Sequence, residues 1–416
     1  MAGGYNLGIA LYRAAVWAAQ PFVPKAKKAI AGRQNLLHKI AVQLAGETRP
    51  RLWMHCASLG EFEQGRPVLE ALRERYPDHA LVLTFFSPSG YEVRKNYVGA
   101  DHIFYLPFDT AKNAQIFLEA VQPQAALFVK YDLWLHYLEA LKAQNIPALL
   151  FAARFSRRQG YFKWWGSAQR KMLQLLSAIS VQDTESAALL EPLNLPAQIT
   201  IDGDPRFDRV INAAQNAVPL PEVEAFAGGA PLLVAGSTWG EDEEALHAAL
   251  SILPAPWKLI LVPHEVEPAN IARIEKLFAG QTALWGAANA AEKRILIVNR
   301  VGLLLGIYRS ATIAYVGGGF SRTGVHNVLE PAAMGAPVLH GPTYHFYLEA
   351  QGLLAAGGSV AFADAEALKV ALQHWVSDAV ARVSAGKAAA AFVAQGGGAT
   401  AKILARVEAL GLRKVL

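Results

Sequence analysis

From residue 51 onward, short apolar runs alternate with stretches of helical periodicity. The first series of runs is Leu52–Cys56, Ala80–Phe86, His102–Leu106, Ala125–Val129, Ala148–Ala152, Ala178–Val181 and Ile199–Ile201. Each is short, almost wholly apolar and bounded by turn residues or helix starts. That pattern predicts strands of a parallel sheet covered on both faces. Glu63–Tyr76, Asn113–Val121 and Leu135–Gln144 are predicted as covering helices. After a Pro-rich, polar stretch around Asn212–Pro231, a second series follows: Leu232–Ala235, Lys258–Val262, Ala283–Trp285, Ile295–Val298, Ile313–Val316 and Pro337–Leu339. The tail from Asp378 is predicted helical, with a break at Gly396–Gly398. Two successive βα series predict an α/β protein of two doubly wound, Rossmann-like domains. Ligands are expected at the carboxyl ends of the strands and the active site in the cleft between the domains. The expected boundaries are 1–50 for an N-terminal helical segment, 51–212 for the first domain and 213–416 for the second.

The first 50 residues differ in character. Tyr5 to Val23 is apolar except for a few positions, and Asn6, Arg13 and Gln20 recur every seven residues on one narrow helix face. Pro21 and Pro24 are expected to end this helix, and Lys25, Lys27 and Lys28 follow directly. A signal peptide fits poorly, because its basic region would precede the apolar run. A membrane span is opposed by Arg13 at its centre. Two readings stay open: a helix packed on the protein's own domain, and an interfacial helix whose lysines meet anionic headgroups. The clustered lysines favour the second.

The chain of 416 residues has 53% hydrophobic and 18% charged residues, which excludes a disordered or collagen-like protein. Its single cysteine, Cys56, cannot form an intrachain disulfide. Residues 1–50 carry seven basic side chains against one acid, Glu47, so the net charge of +5 belongs to this segment. An anionic surface near the N-terminus is therefore implied, and a nucleic-acid groove is not. No zinc-ligand spacing, Walker A loop or G-x-S-x-G elbow is present.

Three sets of residues can carry chemistry. Ala57-Ser58-Leu59-Gly60-Glu61 follows the first strand, where Ser58 and Gly60 line a turn and Glu61 opens the next helix. Glu61 can serve as a general base on a hydroxyl, or be an acidic helix start that suits the macrodipole. Gly317-Gly318-Gly319 lies between a strand and Asn327-Val328-Leu329-Glu330. Such glycines can cradle a phosphate on backbone N–H groups, or simply form a tight turn. Asn327 and Glu330, three apart, are expected to share a helix face, with Glu330 available to ribose hydroxyls. A dinucleotide fingerprint fails, because its third glycine falls on Arg322. The loops holding Ser237, His264 and Arg206 are also expected at strand ends, where each can face an anionic ligand.

Together these motifs resemble the 3-deoxy-D-manno-oct-2-ulosonic acid (Kdo) transferases of lipopolysaccharide synthesis. The resemblance runs over nearly the whole chain. It rests on His55-Cys56-Ala57-Ser58-Leu59-Gly60-Glu61, Ser87-Pro88-Ser89-Gly90, Tyr105-Leu106-Pro107-Phe108-Asp109, Ala153-Arg154-Phe155-Ser156, Gly203 to Asp208, and Val316 to Pro342. It implies a GT-B fold, CMP-Kdo as donor, a lipid A precursor as acceptor, and inversion without metal or other cofactor. It further implies a peripheral or monotopic protein at the cytoplasmic face of a Gram-negative inner membrane. By motif, Glu61 matches the family's general base and Arg206 a basic position that stabilises the transition state. Pro263, His264, Val301, Gly302, Leu303 and Asn327 through Val328 and Leu329 to Glu330 match segments that contact CMP. This chain departs from the family pattern at His264, where Arg is usual, and at Leu303, where an acid is common. It departs most at Lys130, in Lys130-Tyr131-Asp132-Leu133-Trp134. The family pattern there is Glu-x-Glu-Leu-Trp, so lysine reverses the charge of a catalytic position and is open to a donor carboxylate or an acceptor phosphate. Alternatives are another GT-B sugar-nucleotide enzyme, such as a UDP-sugar transferase or an epimerase, and an inactive membrane-tethered binding protein.

Overall fold

The computed structural model describes residues 2–412. The chain forms two compact units: residues up to Asp208 together with the stretch from Gly397, and Arg209–Gly396.

The first unit is built on seven strands: β1 (Arg51–Cys56), β2 (Ala80–Phe85), β3 (His102–Tyr105), β4 (Pro123–Val129), β5 (Ala148–Ala153), β6 (Ala178–Val181) and β7 (Gln198–Ile201). Their order is β3-β2-β1-β4-β5-β6-β7, and every pair is parallel. All six residues of β1, β2 and β5 are buried, as continuous apolar runs require when helices cover both faces. The second unit repeats the plan with β8 (Leu232–Thr238), β9 (Lys258–Pro263), β10 (Thr282–Leu284), β11 (Ile295–Ile297), β12 (Ile313–Val316), β13 (Val338–His340) and β14 (Ser359–Ala361). Its order is β10-β11-β9-β8-β12-β13-β14, again all parallel. The strand order reverses beside β1 and β4 in one sheet and beside β8 and β12 in the other. Those are the switch points where such sheets open a crevice for ligands.

Two expected boundaries change. The C-terminal helix Ala399–Ala409 belongs to the first unit, not the second. Its Ile403 and Val407 join the core of Leu52, Met54 and Phe62, and Arg406 pairs with Asp202 at 3.2 Å. Asp208 caps it by accepting the Thr400 N–H at 2.6 Å. Nor do residues 1–50 stand apart. They form α1 (Ala2–Ala19), α2 (Pro24–Ala31) and α3 (Leu36–Leu44) within the first unit. The i, i+4, i+8 spacing of Leu36, Ile40 and Leu44 makes one apolar stripe, and all three are buried in the core with Trp53 and Phe117.

The helix α1 is tied to the unit by polar contacts beside the half-buried Ile9 and Val16: the Tyr5 hydroxyl donates to Asp109 at 2.6 Å, and Asn6 Oδ1 lies 2.6 Å from His136 Nε2. Arg13 lies over the Phe108 ring. Leu7, Leu11, Trp17 and, just beyond, Phe22 are turned outward, Trp17 at 65% and Phe22 at 85% exposure. No helix among the described residues is long and apolar enough to cross a membrane.

Candidate active site

At the first switch point, β1 ends at Cys56 and α4 (Leu59–Arg75) begins two residues later. Ser58 occupies the N-cap position of α4 but its side chain caps nothing. Instead the Ser58 hydroxyl donates to Glu61 Oε2 in a short hydrogen bond. On its other oxygen, Glu61 meets the Lys130 ammonium at 3.7 Å. Lys130 directly follows β4 and holds a left-handed backbone, φ 70°, while its N–H donates to the Phe151 carbonyl. A non-glycine residue in that region is held there by its surroundings. Glu61 and Lys130 thus come from the two strands that flank the reversal, 69 residues apart in sequence. Beneath them, the Trp53 indole donates to Thr84 at 2.8 Å, Thr84 lies 2.8 Å from His55 Nδ1, and His55 Nε2 lies 2.7 Å from Asp132. With the Thr84 hydroxyl donating to Nδ1, the Nε2–H points at the Asp132 carboxylate, which fixes the segment that carries Lys130. Neighbouring Cys56 is inert, since burial raises its thiol pKa.

Arg206 sits in the first unit and is held by Asp204, which accepts from Nε at 2.9 Å and Nη2 at 2.7 Å. Asp204 also accepts from Gln64 at 3.1 Å, one turn along α4 from Glu61. The Gly203–Asp208 segment is thereby tied to the helix that bears the candidate base.

In the second unit, the loops after β8, β9 and β12 converge. Trp239 follows β8, His264 follows β9, and His326 follows the glycine run after β12. Their rings form a stack, with centroids 4.6 Å apart from Trp239 to His264 and 4.6 Å from His264 to His326. The Trp239 indole N–H donates to His326 Nε2 at 2.9 Å, so the neutral imidazole carries its proton on Nδ1. Burial, and secondarily His264, lower the His326 pKa to about 4. Asp242 ties the same loops from below. It accepts from the Trp239 N–H at 2.9 Å, the Gly318 N–H at 2.8 Å and the Tyr315 hydroxyl at 2.7 Å. Neither Asp242 nor the His326–Trp239 pair was singled out from sequence. The only local signal for Asp242 is the acid-rich start of the helix Gly240–Ala249.

The expected phosphate cradle takes a different form. The Gly317 N–H donates to the Gly236 carbonyl and the Gly318 N–H to Asp242, so neither points to a ligand. A Cβ on Gly317 would lie 2.3 Å from the Ser237 carbonyl oxygen, and one on Gly319 2.6 Å from Gly341. Glycine here lets the ends of β8, β12 and β13 touch backbone to backbone. Ser237 itself has φ 54°, a second left-handed non-glycine residue at a switch point.

Asn327 and Glu330 are brought together, though not as two positions on one helix face. Asn327 precedes the short helix Leu329–Ala333 and accepts the Leu329 N–H at 3.1 Å, while its amide donates to Glu330 at 3.0 Å. Arg209 lies 3.8 Å from the same carboxylate. Pro263 ends β9, and the His264 N–H donates to Thr238 at 3.0 Å. Val301 and Gly302 are exposed before the helix Leu304–Tyr308, with Leu303 at its cap and Val328 buried beside Leu329. Among the described residues, no three His, Cys, Asp or Glu side chains converge as metal ligands.

The His326 shift carries a pH signature. The folded state binds this proton only near pH 4, whereas the unfolded chain binds it near 6.5. Its contribution to stability is therefore complete above about 6.5 and is lost as pH falls toward 4. Urea midpoints for the second unit should fall over that interval in the wild type, and fall less in His326→Gln. Parallel curves for the two proteins would refute the assignment.

A family model described as 3-deoxy-D-manno-octulosonic-acid transferase (kdotransferase) matches residues 29–209. The 3-deoxy-D-manno-octulosonic acid transferase of Bordetella pertussis is 30% identical over 380 residues, 86% of this chain and 86% of its own. That of Haemophilus influenzae is 29% identical over 376 residues, 85% of each chain. Among solved structures, UDP-GlcNAc 2-epimerase from Neisseria meningitidis, bound to UDP-GlcNAc, superposes with a TM-score of 0.62 at 14% identity, covering 86% of this chain and 100% of that one. A glycosyltransferase from Rickettsia africae gives 0.56 at 15% identity, covering 87% and 99%. At those identities the likeness is one of fold, and the fold is GT-B. Taken with the relatives that match along most of its length, this chain belongs to the 3-deoxy-D-manno-octulosonic acid transferases and is a glycosyltransferase.

Proposed function

We propose that the enzyme moves Kdo from CMP-Kdo to a hydroxyl of a phosphorylated lipid A precursor, in a single inverting displacement that needs no metal ion. The observation that carries this reading is the Glu61 carboxylate, set between the Ser58 hydroxyl and the Lys130 ammonium at the first switch point. Glu61 takes the acceptor proton as the oxygen attacks the anomeric carbon. The ammonium of Lys130 offers an anion site where the family pattern has an acid, suited to the donor's carboxylate or an acceptor phosphate. Arg206, oriented by Asp204, supplies a cation for charge that develops on the departing phosphate. On the second unit, CMP is assigned to the strand-end segments Pro263–His264, Val301–Leu303 and Asn327–Glu330, with the ring stack of Trp239, His264 and His326 beside them. CMP is a stable leaving group, so the step does not demand a Lewis acid.

Mass spectrometry of a tetraacylated lipid A precursor incubated with CMP-Kdo tests this directly. Addition of one or more Kdo units, absent with UDP-sugars, is the expected result. A UDP-sugar used in preference to CMP-Kdo would replace the reading with that of another sugar-nucleotide enzyme.

The acceptor is amphiphilic, so the unit that takes it must work at a lipid surface. The outward Leu7, Leu11, Trp17 and Phe22, followed by Lys25, Lys27 and Lys28, support a peripheral or monotopic protein on the anionic cytoplasmic face of an inner membrane. Trp17→Glu with Phe22→Glu should lower partitioning onto vesicles containing phosphatidylglycerol at least about tenfold, as expected from withdrawing two large apolar side chains. Unchanged cosedimentation would remove α1 from the membrane-binding role.

A further inference from the structure

Between α1, α2 and the ends of β2 and β3 lies a pocket of about 260 Å³. Tyr12 and Val16 of α1, Phe86 after β2 and Phe108 after β3 form apolar walls, and among the described residues only Arg33 and Lys25 bring charge to the lining. Arg33 is itself part of the wall. Its guanidinium lies 4.7 Å from the Phe86 and Phe108 ring centroids and 4.9 Å from that of Tyr105. It donates to the carbonyls of Leu106 at 2.9 Å, Ala29 at 3.1 Å and Phe86 at 2.6 Å. The cation is thereby locked in an aromatic cage, which leaves the exposed Lys25 as the charge free to meet a ligand.

Three observations identify the occupant. The lining is apolar and cationic with no acid, which suits an anionic amphiphile. Val23 and Val16, both lining residues, adjoin in sequence the outward Phe22 and Trp17, so apolar surface stands at the pocket's rim. It also borders the catalytic edge: the Ser87 N–H donates to the Ala57 carbonyl at 2.7 Å, next to Ser58, and the Phe86 ring packs 4.4 Å from Trp134, whose indole donates to Asp132. A chain held here belongs to a molecule whose polar end lies near Glu61 and Lys130.

We propose that this pocket holds one acyl chain of the lipid acceptor, with an acceptor phosphate at Lys25, so that α1 and α2 measure the acceptor as well as contact the membrane. The proposal rests on the lipid acceptor stated above. It makes acylation a specificity element read outside the sugar site.

The full chain is tested with dodecyl phosphate, used below its micelle concentration, in calorimetric titrations. Wild type should bind it at one site and compete it against the tetraacylated acceptor, whereas inorganic phosphate should bind at least about tenfold more weakly, lacking the apolar contacts. Val16→Trp, which fills the pocket, and Lys25→Glu, which reverses its rim, should each weaken binding about 10- to 50-fold. Val16→Trp should raise KM for the tetraacylated acceptor by a similar factor while leaving KM for the fully deacylated, water-soluble acceptor unchanged, whereas Lys25→Glu, which meets the phosphate that both acceptors keep, should raise KM for both. Dodecyl phosphate binding that neither substitution affects, or a KM shift in Val16→Trp that is equal for the two acceptors, would overturn the pocket. Failure of wild type to transfer Kdo to any acylated acceptor, with dodecyl phosphate still bound, would instead overturn the lipid acceptor and with it the occupant.

Discussion

Glu61→Gln should lower Kdo transfer by about 10²–10⁴ while leaving fold and CMP affinity in place, the range for removing a positioned general base. The amide matches the carboxylate in size and still accepts the Ser58 hydroxyl, so the turn after β1 keeps its geometry. What it cannot do is take a proton. Nor can it pair with Lys130, whose ammonium stands 3.7 Å from Glu61 Oε1. Two further measurements separate these losses. Lys130→Ala removes the ion pair but keeps the base, and should cost less in kcat than Glu61→Gln and more in KM. On the proposed assignment of CMP to the second unit, titration of both variants with CMP should match wild type, because both side chains belong to the first. Transfer by Glu61→Gln within threefold of wild type would end the base assignment and leave the carboxylate a positioning role.

The fold was legible because its physics is local to each segment. A strand covered on both faces must be apolar at every position, and thirteen such runs stand out between helical stretches. β14 escaped because Ser359–Ala361 is a three-residue edge strand that opens on a serine. The C-terminal helix was placed in the wrong unit for a related reason. Its apolar stripe at Ile403 and Val407 shows that it docks, and only the Asp208 cap and the Asp202–Arg406 pair show where. The candidate base was legible for a different cause: a carboxylate in the turn after the first strand of a doubly wound sheet must lie at the ligand edge.

The glycine run shows where sequence reasoning misleads. Three glycines after a strand read equally as a phosphate cradle and as a place where backbones meet. The tertiary approach of Ser237 and Gly341 is what requires glycine at Gly317 and Gly319, and the N–H groups of Gly317 and Gly318 are taken by Gly236 and Asp242. Trp239 and Asp242 stand at the N-cap and N3 positions of one helix, but their bonds to Tyr315, Gly318 and His326 span 73 to 87 residues and are joined by topology alone. The left-handed backbones at Lys130 and Ser237 are likewise invisible in sequence, because neither residue type advertises a positive φ.

Asp242→Ala is expected to destabilise the second unit by about 3–5 kcal/mol, on the scale of several hydrogen bonds to one buried carboxylate. Asp242 is 1% exposed and receives the Trp239 N–H, the Gly318 N–H and the Tyr315 hydroxyl. Alanine leaves all three donors without this acceptor, and the two N–H groups belong to the loops on either side of the β8–β12 reversal. Part of the loss is offset, because burial raises the Asp242 pKa and the ionised group is itself expensive to hold there. The sign of that shift sets a pH test. A carboxyl whose pKa is raised on folding contributes most below its unfolded value, near 3.8, and less as pH climbs through its folded value. The destabilisation by alanine should therefore be larger in acid than at neutrality, opposite in direction to the His326 effect in the same unit. Asn, which keeps one oxygen acceptor but turns an amide donor toward the remaining N–H groups, should fall between alanine and wild type. Urea unfolding of each variant, read by hydrogen exchange in peptides spanning 233–242 and 313–319, checks both magnitude and place. Exchange that stays as slow in the alanine variant as in wild type would mean the two loops are held without Asp242. Faster exchange confined to them, with CMP affinity reduced at least about tenfold, would identify this carboxylate as the support of the strand-end edge proposed to take CMP.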